Sequence, residues 1–70
     1  LAREKKHFTV RDCQQWFPTA SDEEIVLWVR TAQEVVDRGF HPEHGVAAAN
    51  IELLTHRRHR GRQNDEKDLT

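Results

Sequence analysis

The chain has 70 residues, 36% of them hydrophobic and 33% charged, with a mean hydropathy of −0.89. A chain this short supports one small core and no second domain. Its formal net charge of −1 conceals a segregation. Residues 1–11 are net +3, residues 12–55 net −6, residues 56–63 net +4 and residues 64–70 net −2.

In chain order, the first segment is a charged arm over residues 1–7. It lacks the apolar h-region of a signal peptide. The first helical pattern opens at Thr9, a natural N-cap, with Asp12 as an acidic capping-box partner. Val10, Cys13, Trp16 and Phe17 recur at helical spacing until Pro18, whose preceding residue avoids the α region.

The second pattern is the clearest. Ser21 and Glu24 form an S-x-x-E capping box, and Asp22 and Glu23 add negative charge where the helix dipole favours it. Ile25, Trp28, Val29, Ala32, Val35 and Val36 make one apolar stripe. Gly39 is the expected stop, which predicts a helix over 21–38.

The third pattern begins near Pro42, a residue suited to the first helical position. Gly45 weakens that start, so a helix settled from Val46 is expected. Val46, Ala47, Asn50, Ile51, Leu53 and Leu54 share a broad face, and Asn50 on it implies a satisfied buried hydrogen bond. The helix is expected to run to about His59 and stop at Gly61, leaving a disordered polar tail over 61–70.

These patterns predict an all-α fold: a three-helix domain over residues 8–60, formed by a helical hairpin closed by a short N-terminal helix. Trp16, Trp28, Phe8, Phe17 and Phe40 are the expected core anchors, with Trp16 and Phe17 closing the open side of the hairpin.

The sharpest functional feature is the run His56-Arg57-Arg58-His59-Arg60-Gly61-Arg62. Four arginines in six residues exceed what a helix C-terminus needs to complement its dipole. Their planar guanidinium groups suit phosphate or carboxylate partners. Arg57, Arg58, Arg60 and Arg62 are therefore candidate partner- or nucleic-acid-binding residues, joined by Lys5 and Lys6 from the arm. Leu27 falls off the apolar stripe among charged residues, where it could anchor a protein contact.

His41, His44, His56 and His59 spell two H-x-x-H pairs. They raise a zinc-stabilised module as an alternative, although a helix between the pairs would separate them by roughly 20 Å. Solvated histidines are the simpler reading, and no cofactor is expected. None of the nucleotide-binding or metalloprotease motifs sought is present, and Cys13 falls on an apolar face, so catalysis is not expected. The single cysteine points to a reducing, intracellular compartment, and no run approaches the ~20 apolar residues of a membrane span.

In size, helical build and the basic segment His56 to Arg62, the chain resembles the small RNA-polymerase-binding transcription regulators of lytic phages. Such proteins block promoter recognition or help polymerase read through terminators. The resemblance implies a non-enzymatic regulator in the host bacterial cytoplasm that binds RNA polymerase, with basic residues reaching nucleic acid. The rival readings are a direct DNA- or RNA-binding protein using the arginine cluster, the zinc-stabilised module, and a subunit of a larger assembly.

Overall fold

A computed structural model describes the backbone of residues 6–69 and the side chains of residues 6–59. The fold is all-α, with α1 over Val10–Trp16, α2 over Asp22–Asp37 and α3 over Pro42–Leu69. The α2–α3 hairpin forms the body, and α1 packs on α2.

Local signals set the boundaries. At α1, the Thr9 hydroxyl accepts from the Asp12 N–H, and the Asp12 carboxylate accepts from the Thr9 N–H at 2.9 Å. At α2 the same reciprocal box joins Ser21 and Glu24. Gly39 ends α2 at φ 103°. Its N–H donates to the Val36 carbonyl, and the Phe40 N–H donates to that of Val35, which satisfies the last carbonyls of the helix.

α3 differs from its expected bounds at both ends. It starts at Pro42 with Gly45 inside it. A β-carbon built on Gly45 would lie 2.8 Å from the Ala32 carbonyl oxygen and 3.3 Å from a Val36 methyl. Gly45 is therefore the place where α3 touches the backbone of α2, and the propensity it costs is offset by close packing. The α3 backbone also continues through Gly61 to Leu69, past the expected stop. Glycine stops a helix by taking left-handed φ, and among the described residues only Gly39 does so.

The core contains Phe8, Cys13, Ile25, Trp28, Ala32, Val36, Ala49 and Leu53. Trp28 is fully buried at its centre, and Phe8 meets it edge-on with ring centroids 5.6 Å apart. The expected anchors need two corrections. Trp16 is 55% exposed and Phe40 58% exposed. α1 has only seven residues and buries Cys13 alone, while Phe8, from the segment before it, takes the place against Trp28. Phe17 is half-buried against the core. On α3, Leu53 and Ala49 point inward, whereas Ile51 and Leu54 lie outside.

Candidate functional site

Three features of the surface bear on function. The first is a junction at the open end of the hairpin. Glu24 is buried, although it lies in the first turn of α2. Its Oε1 accepts from the Ser21 N–H at 2.9 Å and from Arg57 Nη2 at 3.0 Å, and its Oε2 accepts from Arg57 Nε at 2.6 Å. The Arg57 guanidinium also lies over the Phe17 ring, 5.2 Å from its centroid. One arginine thus ties α3 to the start of α2 and to the residue that ends α1.

Electrostatics follow the geometry. The Arg57 hydrogen bonds, helped by the Ser21 N–H, lower the Glu24 carboxyl to about 2 from 4.5. Burial pushes the Cys13 thiol up and Glu24 adds to this, while Arg57 opposes it. Next to Arg57, His56 Nε2 is buried with no hydrogen-bond partner among the described residues.

This junction alters the basic cluster. Arg57 is committed within the fold, so its replacement would disturb folding as well as any partner. Part of the signal was present in the sequence: Arg57 falls one turn after Leu53, on the side of α3 that packs on α2. Its partner, 33 positions away, could not be read from spacing. Arg58 and His59 are exposed. The side chains of Arg60 and Arg62, and the whole of Lys5, lie outside the described residues.

The second feature is the docked arm. Gln33 accepts from the Phe8 N–H at 3.0 Å and donates to the Lys6 carbonyl at 2.9 Å, clamping both sides of an extended segment. Lys6 lies 3.6 Å from the Asp12 carboxylate and over the Phe8 ring. The arm is thus docked at Lys6, while the Lys6 side chain stays exposed. Leu27, expected on an open charged face, is half-buried and packs against the core. α2 is covered by α3 and by the N-terminal segment, so a wider arc than one stripe is buried.

The third feature was missed by the sequence reading. An open groove of about 740 Å³ runs between the Phe8–Val10 segment and α2, with Val10, Ile25, Val26 and Val29 on its floor. Arg30, Gln33, Glu34 and Asp37 rim it. Val26 is 62% exposed and Val10 51%. Val26 and Val10 each follow helical spacing, but their meeting depends on how the arm docks.

The histidines do not converge. His41 and His44 face each other with ring centroids 6.1 Å apart, while His56 and His59 lie about four turns further along α3. Among the described residues no group of three or more His, Cys, Asp and Glu side chains could hold a metal ion, which corrects the zinc alternative. Asn50 behaves as expected: its Oδ1 accepts from Trp28 Nε1 at 2.7 Å. Among the described residues no helix is long and apolar enough to cross a membrane.

No known protein family, curated protein or solved structure matches the chain.

Proposed function

We propose that this chain is a non-enzymatic transcription regulator that works by protein contact, seating a segment of RNA polymerase in the groove between its docked arm and α2. The observation that carries the contact is the groove itself, an apolar floor left open to solvent between two elements. Arg30, Gln33, Glu34 and Asp37 line the groove together with the apolar residues, which favours an amphipathic segment with polar flanks. That the partner is the transcription machinery rests on the resemblance in size, helical build and basic segment.

Commitment of Arg57 to Glu24 leaves the rival, direct binding of nucleic acid through the arginine cluster, with less support. The acidic body also repels a polyanion approaching broadside, so basic residues such as Arg58 would add a secondary contact.

The test compares wild type, Val26→Asp and Arg58→Ala for binding to purified RNA polymerase and to bare duplex DNA at matched salt. Both positions are exposed, so the fold is expected to survive. Val26→Asp should weaken polymerase binding by about tenfold or more, and Arg58→Ala by less. DNA binding should be weak and steeply salt-dependent. Tight, sequence-selective DNA binding with no binding to polymerase would overturn the proposal.

A further inference from the structure

α3 carries a second apolar face that the fold does not use. At about 100° per residue, His44, Ala47, Ile51, Leu54 and Arg58 align on the side opposite Ala49 and Leu53. Their spacing of three and four residues is that of a helix–helix seam. Ile51 is 65% exposed and Leu54 53% exposed, on a helix whose other side is buried against α2.

We infer that this face pairs with the same face of a second copy of the chain, with the two α3 helices antiparallel and Ile51 on the two-fold axis. Size complementarity supports that register. With Ile51 against its own symmetry mate, Leu54 of each copy falls opposite Ala47 of the other. A large side chain then enters a gap left by a small one, as close helix packing requires.

Charge supports it independently. Along α3 the acids Glu43 and Glu52 precede the bases Arg57 and Arg58. Antiparallel pairing brings exposed Glu43 of one copy near exposed Arg58 and His59 of the other. A parallel pair would instead stack Glu43 on Glu43 and Arg58 on Arg58, which is repulsive. An isologous two-fold contact also closes on itself and limits assembly to a dimer. The groove on α2 lies elsewhere and the two readings share only Arg58, so the tests of this inference use positions 51 and 44, and their failure leaves the proposed function standing.

The experiment is sedimentation equilibrium on the full chain over a concentration series. The expected result is a concentration-dependent rise from 8.2 kDa to twice that mass. Ile51→Lys should raise the dissociation constant more than about tenfold while helical circular dichroism is unchanged. Orientation is read by oxidation of single substitutions, because the native Cys13 is buried. Ile51→Cys should form an interchain disulfide readily. His44→Cys should not, since antiparallel pairing about Ile51 holds the two copies of position 44 about 20 Å apart. A wild-type chain that stays monomeric at the highest concentration would overturn the inference. So would association unaffected by Ile51→Lys, or crosslinking at position 44 as efficient as at position 51.

Discussion

The two ends of the α2–α3 hairpin are held by different chemistry. Near the connecting loop, Gly45 lets α3 approach the Ala32 carbonyl of α2, and Val36 and Phe8 fill the remaining space. That end depends on shape and on the lack of a side chain. At the open end the helices are joined by the Glu24–Arg57 pair with Phe17 beneath it. Close packing there gives way to directional, charged contacts at the edge of solvent. A domain with one small core can thus keep its chain crossing tight with a glycine, while its open end is pinned by a charged pair.

Trp28 lies between these ends, so it is where the comparison can be broken most severely. It is fully buried, packs against Phe8, and donates to Asn50 on α3. Trp28→Ala would remove the core's largest side chain and leave Asn50 without its donor. The expected cost is about 3–5 kcal/mol, enough to unfold a domain of this size. Thermal melting followed by circular dichroism should lose its cooperative transition. A cooperative melt near the wild-type midpoint would mean that the two ends hold together without a shared centre.

The loop end is tested by Gly45→Ala. In an unobstructed helix this change is favourable by about 1 kcal/mol, because alanine is the better helix former. Here the new β-carbon would meet the Ala32 backbone oxygen at 2.8 Å, and a backbone atom cannot rotate aside. Strain should exceed the propensity gain, for a net loss of about 1–2 kcal/mol in urea denaturation. A gain in stability would show that the helices can separate cheaply, and the contrast between the ends would lose its basis.

What could be read beforehand divides along the same line. The starts of α1 and α2 were legible because capping is local: Thr9 with Asp12 and Ser21 with Glu24 lie three residues apart, and both boxes form as the spacing predicts. Gly39 was legible for the same reason. Gly45 was misread as a weak helix start, because its purpose depends on the backbone of another helix. Arg57 was read only as a partner-binding cation, because the Glu24 it pairs with is far away in sequence. Glu24 itself was assigned only its capping role. The groove was not foreseen at all, since it needs the arm to lie on α2, and the Gln33 clamp that places it joins residues 25 and 27 positions apart.

The smallest effect expected is at the open end, and pH sharpens it. Glu24 titrates at about 2 in the folded chain against an ordinary value of 4.5, chiefly because Arg57 hydrogen-bonds its charged form. The unfolded chain therefore takes up this proton at higher pH than the folded one. The stabilisation from the pair is complete above about 4.5 and is lost as pH falls through about 2. The Arg57 side chain is 40% exposed, so solvent screening keeps the contribution near 1 kcal/mol. The difference between wild type and Glu24→Gln is the informative quantity, because it cancels every effect of acid that the two chains share. At neutral pH the variant should melt roughly 4–8 °C lower. That gap should narrow as the solution is acidified, because the wild-type carboxyl becomes neutral as well. A gap that stays constant down to the lowest pH would mean that Glu24 acts through shape or capping and that its charge contributes nothing. The open end would then be held in the same way as the loop end.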